Sequence, residues 1–100
     1  MIYAIICEDT EGSLEKRQAV RPRHAARLVE LQNQGRLLLA GPFPAVDAGD
    51  PGPAGFTGSL IVAEFETLED AKSWSDADPF TEAGVYASIT VKPLRVSFPQ

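Results

Sequence analysis

His24 is the one histidine in this chain, and it lies in the basic stretch VRPRHAARLVEL. An imidazole can take and give a proton near neutral pH, so this residue is the first candidate for acid–base chemistry. His24, Leu28 and Leu31 follow the i, i+4, i+7 spacing of one helix face. We therefore expect the imidazole to lie on the buried, apolar side of a helix.

The start of that helix is predicted from its proline. Proline is favoured in the first helical turn, so the main helix is expected to begin near Arg21 or Pro22 and to end at Gly35. His24 would then lie in the first turn. There the positive end of the helix dipole disfavours the charged imidazolium.

Asp78 is the predicted partner of His24. Trp74 and Asp78 are four residues apart, so Asp78 continues the apolar face of a second helix at its last position, just before Pro79. An antiparallel arrangement of the two helices would bring this carboxylate to the imidazole. Two interpretations stay open: an oriented imidazole that moves protons, or a buried pair that serves packing.

Other residues are weaker candidates for chemistry. The stretch EKRQAVRPRHAAR contains a basic cluster, which is interpreted mainly as a solvated face: Lys16, Arg17, Arg21, Arg23 and Arg27. Within it, Arg17 or Arg21 could hold a small anion. Ser59 is expected near the same edge of the sheet, without a nucleophile motif. Cys7 is expected to be a small core residue. One histidine and one cysteine provide no zinc-ligand spacing, so no metal and no cofactor is expected.

The elements that must position these residues alternate in a recognisable order. Hydrophobic patterning predicts strand, helix, strand, strand, helix, strand, with a glycine- and proline-rich loop over residues 45–58. This order predicts an α+β, ferredoxin-like βαββαβ domain with a four-stranded antiparallel sheet. The fourth strand is expected beside the first, and the third beside the second.

The strands are apolar on both faces, as in MIYAIIC, LLLAG and LIVA. Two helices can cover only one face of a four-stranded sheet, and an exposed apolar face of that size is unusual in a soluble protein. We expect a second copy of the chain to cover the open face, which makes a homodimer with a barrel-like centre.

Composition limits the partners. The chain has 100 residues and a formal net charge of −5, which fits one domain and argues against nucleic acid or an anionic membrane as a partner. One cysteine cannot form an internal disulfide, and no segment has the ~20 apolar residues of a membrane span. A cytoplasmic location is expected, with a small molecule as ligand.

The motifs R-P-x-H, G-R-L-L-x-A-G-P and A-D-P-F together resemble the YciI-like (YCII-related) family over nearly the whole chain, residues 1–100. The resemblance implies a dimeric α+β barrel, akin to muconolactone isomerases. It also implies an active site centred on a histidine and an aspartate, which match His24 and Asp78. Arg17, Arg21 and Ser59 lie in family motif segments and are expected as ligand contacts. A few members are associated with dehydrochlorination or isomerisation of ring compounds.

The leading hypothesis is therefore a cofactor-independent lyase or isomerase in which His24, oriented by Asp78, moves a proton on a small anionic molecule. The alternative is a non-catalytic module that binds a small ligand and uses the same pair for structure. A haem- or quinone-handling barrel is a third, weaker interpretation.

Overall fold

The N-terminal strand is central in the sheet, because its alternating side chains are apolar on both faces. The computed structural model describes all 100 residues. Its elements, in chain order, are β1 (Ile2–Asp9), α1 (Leu14–Asn33), β2 (Leu37–Pro44), a 3₁₀ turn (Gly52–Ala54), β3 (Phe56–Glu64), α2 (Leu68–Asp76), α3 (Pro79–Glu82) and β4 (Tyr86–Leu94).

The predicted fold is confirmed. The four strands form one sheet in the order β2-β3-β1-β4, and every neighbouring pair is antiparallel. The fourth strand lies beside the first and the third beside the second, as expected for the ferredoxin-like arrangement. Strand β3 begins at Phe56, inside the predicted loop over residues 45–58, and the last strand, β4, spans Tyr86–Leu94.

Helix α1 differs from its prediction. It begins at Leu14 and continues through Pro22 as one helix of 20 residues, so His24 lies near its middle and not in the first turn. Proline removes one backbone hydrogen bond and disfavours the preceding turn. Buried residues before and after it, Arg17 and Leu31, hold both halves of the helix against the sheet, whereas Pro22 itself faces solvent. The expected influence of the helix N-terminus on the imidazole is therefore wrong.

Asp78 also has a different structural role. Helix α2 ends at Asp76, and Asp78 is the extended residue that caps the short helix α3. Its Oδ1 accepts a hydrogen bond of 2.8 Å from the backbone N–H of Phe80. Pro79 explains the change, because proline favours an extended residue before it and the first helical position for itself.

The three helices cover one face of the sheet. The core between them contains side chains from β1, β3, α1 and α2: Tyr3, Ile5, Cys7, Leu31, Ile61, Ala63, Phe65 and Ala71. The opposite face presents Ala4, Ile6, Leu60 and Leu39 from three adjacent strands, as the strand register requires. The outward side chains of β4 include Thr90 and Lys92, so that edge of the open face is polar. None of the helices is long and apolar enough to cross a membrane.

Candidate active site

His24 and Asp78 meet as predicted, although fifty-four positions separate them. The imidazole Nδ1 lies 2.8 Å from Oδ1 of Asp78 and 3.0 Å from Oδ2. A carboxylate only accepts hydrogen bonds, so Nδ1 carries the proton and donates it. The other ring nitrogen, Nε2, is then the lone-pair atom, and it has no hydrogen-bond partner within the protein.

The imidazole plane is held by stacking as well as by the carboxylate. The rings of His24 and Phe80 are 3.9 Å apart between centroids and inclined by only 10°. Phe80 in turn contacts Tyr86 edge to face, with centroids 5.8 Å apart. Phe80 thus fixes the ring orientation while its backbone N–H, through Asp78, fixes the tautomer. Sequence patterning did not identify Phe80 as a site residue.

A cavity of about 370 Å³ opens in front of the imidazole, between α1 and the strands β2 and β3. Most of its wall is apolar, from residues such as Leu28, Pro42, Phe56 and Ile61. Its polar lining includes four of the five residues predicted for the site. They are Arg17, Arg21, His24 and Ser59. Asp78 is 1% exposed and lies behind His24, outside the cavity lining.

Arg17 is largely occupied by the protein. Its Nε and Nη2 donate to the two oxygens of Asp9 at 2.6 and 2.9 Å, and Nη2 also reaches Gly58 O at 2.9 Å and Ser59 Oγ at 2.8 Å. The hydroxyl of Ser13, the residue before α1, also donates to Asp9, at 2.6 Å. Only Nη1 of Arg17 has no partner in the protein. The buried pair therefore builds the floor of the cavity and leaves one guanidinium nitrogen for a ligand.

Asp9 was not singled out in the sequence, although a signal for it exists. It continues the alternation of Tyr3, Ile5 and Cys7, which places its side chain on the helix-covered face. A register shift between Glu8 and Asp9 ends the regular pairing with β4 at this point. The carboxylate is thereby directed toward α1, where Arg17 meets it.

Arg21 differs from Arg17 because it is exposed and has no hydrogen bond or ion pair within the protein. One helical turn separates it from Arg17, and both line the cavity. Its charge is fully available to an anion that enters there.

Cys7 and Tyr86 lie behind Ser59 and do not line the cavity. Burial raises the pKa of the Cys7 thiol to about 12, and burial also raises the pKa of Tyr86. Both groups are therefore protonated at neutral pH. The protonated thiol fits the expectation of a small core residue for Cys7.

The described residues include no group of three or more His, Cys, Asp or Glu side chains placed to hold a metal ion.

Known proteins resemble this chain over nearly its full length. Protein YciI of Escherichia coli is 58% identical over 98 residues, which cover 98% of this chain and all of that protein. An uncharacterized protein of Haemophilus influenzae is 53% identical over the same length and coverage.

One solved structure resembles both the fold and the sequence. It is the 5-chloro-2-hydroxyhydroquinone dehydrochlorinase TftG of Burkholderia phenoliruptrix AC1100, in complex with 2,5-dihydroxybenzoquinone. The TM-score is 0.83 with 29% sequence identity, and the match covers 95% of this chain and 94% of that one. The family model of the YCII-related domain matches residues 1–95. The chain therefore belongs to the YCII-related domain family.

Proposed function

We propose that this protein is a lyase-type enzyme that uses His24 as a general acid–base group on a small anionic ring compound. One observation carries the proposal. Asp78 holds the Nδ1 side of the imidazole at 2.8 and 3.0 Å, while the unpartnered Nε2 belongs to a residue that lines a cavity of about 370 Å³. A pair that served packing alone would have both ring nitrogens bonded within the protein.

The charges around the cavity support an anionic substrate. Arg21 has no partner in the protein, and Arg17 has Nη1 free. A guanidinium binds a carboxylate or an enolate oxygen through charge-assisted hydrogen bonds. Apolar walls and the ring of Phe56 suit the flat, hydrophobic part of such a molecule.

Elimination of hydrogen chloride is the first reaction to consider, because TftG is a dehydrochlorinase. The imidazole first moves a proton from a ring hydroxyl to the chlorine-bearing carbon, which gives the keto tautomer of the ring. It then takes the proton of a second hydroxyl, and the electrons of that O–H bond form a second C=O bond. The ring π bond shifts toward the chlorine-bearing carbon, and chloride leaves with the electrons of the carbon–chlorine bond. The redistribution balances without an external oxidant or reductant, so a single oriented imidazole is sufficient as the proton carrier.

Binding of 2,5-dihydroxybenzoquinone tests the ligand class directly. At about ten times its Kd the ligand should contribute about 1.4 kcal/mol and raise the melting temperature by roughly 5–10 °C. Arg21→Met should weaken binding by about tenfold or more, since it removes the free charge at the cavity. Arg23→Met is the matched control, because Arg23 is an exposed arginine of the same helix outside the cavity lining. No shift with the parent protein, or an equal loss in both variants, would contradict the anionic-ring assignment.

The same protein and the same variants distinguish a non-catalytic binding module from an enzyme. A binding module would show the thermal shift and its dependence on Arg21, without releasing chloride from 5-chloro-2-hydroxyhydroquinone. An isomerase acting on an unchlorinated ring would behave in the same way toward this one substrate. A mass-spectrometric screen for hydrogen–deuterium exchange into bound ring compounds distinguishes those two cases, because only the enzyme moves a proton.

We also propose that two copies associate through the open face of the sheet. The apolar side chains that β1, β3 and β2 present there support this interface, because the three helices cover only the other face. Sedimentation equilibrium should yield twice the 10.8 kDa of one chain.

A pair of matched variants tests this interface. Leu39 on the open face is 51% exposed and Val29 on α1 is 50% exposed. Leu39→Asp should therefore shift the mass toward one chain, whereas Val29→Asp should leave it unchanged. A monomeric parent, or dissociation by Val29→Asp alone, would exclude the open face as the interface.

A further inference from the structure

We propose that Arg27 is a positioning residue that limits the protonation of His24 by sharing the charge of Asp78. The inference deepens the proposed function, since it concerns the same acid–base pair. Arg27 was interpreted from sequence as part of a solvated basic face. It is three residues after His24, however, and so lies on the same side of α1.

The contacts of Arg27 place its charge beside the carboxylate. Its Nη1 lies 3.7 Å from Oδ2 of Asp78, the oxygen that is 3.0 Å from His24 Nδ1. The guanidinium also stacks on Trp74, with 4.4 Å from Cζ to the ring centroid. The side chain is only 25% exposed. Helix α2 thus supplies the platform that holds this cation next to the pair.

Nη1 of Arg27 is fully buried and has no hydrogen-bond partner. An unpaired buried donor is costly, and such groups call for an explanation. The 3.7 Å that separates it from Oδ2 of Asp78 is too long for a hydrogen bond but short enough for a charge interaction in a partly dry site. The buried guanidinium of Arg27 therefore lacks one hydrogen bond, and it acts on the carboxylate of Asp78 through its charge.

The physical effect is a competition between two cations for one carboxylate. Alone, Asp78 would favour the charged imidazolium, which would leave no lone pair to accept a proton. Arg27 offsets part of the negative charge and repels the imidazolium as a like charge. The imidazole is thereby kept available as a base, with Asp78 still orienting it through Nδ1.

The other charged or titratable groups around His24 are already assigned. On α1, Arg17 is paired with Asp9 of β1, and Arg21 faces the open cavity. Cys7 of β1 and Tyr86 of β4 are held in their neutral forms by burial. Strand β3 contributes the uncharged Ser59. Asp78 and Arg27 are thus the two remaining charged groups, and their opposite charges are the ones that act on the imidazole of His24.

The sole histidine makes the test unambiguous. In protein labelled with ¹⁵N-histidine, the two ring-nitrogen shifts at one neutral pH report the ratio of doubly protonated to neutral imidazole. Arg27→Met removes the charge but keeps an unbranched side chain that can pack on Trp74. It should raise this ratio by about tenfold relative to the parent, the effect of one nearby unit charge. Arg27→Lys keeps the charge and should stay close to the parent ratio.

Three results would overturn the proposal: an unchanged ratio in Arg27→Met, an equal rise in both variants, or a rise in the control Arg23→Met. If Arg27→Met does not fold, Arg27→Gln supplies a second neutral side chain for the same comparison. The measurement needs no substrate, so it stands even if the proposed reaction is wrong. Conversely, loss of chloride release in a His24 variant with no effect of Arg27 on the ratio would retain the reaction and reject the role of Arg27.

Discussion

Replacing His24 by alanine is expected to reduce chloride release from 5-chloro-2-hydroxyhydroquinone by at least ~100-fold, while the chain stays folded. General acid–base catalysis by one side chain contributes about 10²–10⁴-fold, and the cavity lining contains no second imidazole and no carboxylate to replace this one. The loss should fall on kcat rather than on binding, since Arg21 still holds the anion.

His24→Asn is the second variant for this test. Alanine leaves the carboxylate of Asp78 without its donor and creates a hole beside Phe80, so part of its effect could come from structure. The asparagine amide can donate from nearly the position of Nδ1, which keeps Asp78 partnered but supplies no base. Both variants should keep the far-UV circular dichroism spectrum of the parent. Turnover that survives either change, or unfolding of both, would show that the pair serves structure.

The second large effect is expected from the ion pair beneath the cavity. The side chains of Arg17 and Asp9 are only 8% and 1% exposed. Arg17→Met would leave the carboxylate buried with a single remaining donor, the hydroxyl of Ser13. Removing one partner of a buried pair costs about 3–5 kcal/mol of the free energy of unfolding. That is a large share of the 5–15 kcal/mol typical of a small domain, so the urea midpoint should fall sharply.

The double variant Arg17→Met/Asp9→Leu separates the ion pair from its packing. Two apolar side chains of similar size remove the stranded charge, so stability should recover toward the parent value. Arg21→Met, at an exposed and unpaired arginine of the same helix, should change the free energy of unfolding by less than about 0.5 kcal/mol. A cost below 1 kcal/mol for Arg17→Met would mean that Arg17 is held for the ligand and not for the fold.

The arginines of α1 show that a local sequence pattern does not predict which basic side chains are exposed and which are buried. Net charge and spacing favour a solvated face for a basic helix segment, and this interpretation holds for Arg23. Arg17 is buried because Asp9 continues the inward alternation of β1 and reaches it. The side chain of Arg27 is only 25% exposed because Trp74 and Asp78, about fifty residues away in the sequence, pack against it. None of these three partners lies in the same helix as the arginine that it meets.

Pro22 illustrates the opposite error. The preference of proline for the first helical turn predicted that the helix begins at this residue. That preference takes no account of how the residues before and after the proline pack against the sheet. Tertiary burial of Arg17 before the proline and of His24 and Leu31 after it outweighs the lost hydrogen bond. The same long helix carries Arg17, Arg21 and His24, which line the cavity on both sides of the proline.

The sequence by itself determined the order of the elements, the antiparallel sheet and the inward side of the helix on which His24 lies. These follow from periodicity and turn chemistry, which act over a few residues. It also indicated Asp78 as the partner, because antiparallel helices bring their opposite ends together. Only the tertiary structure decided that Asp78 caps a separate helix, that Nε2 stays free, and that Arg17 and Arg27 have different partners. Those contacts join distant segments, and their distances depend on packing that no local pattern encodes.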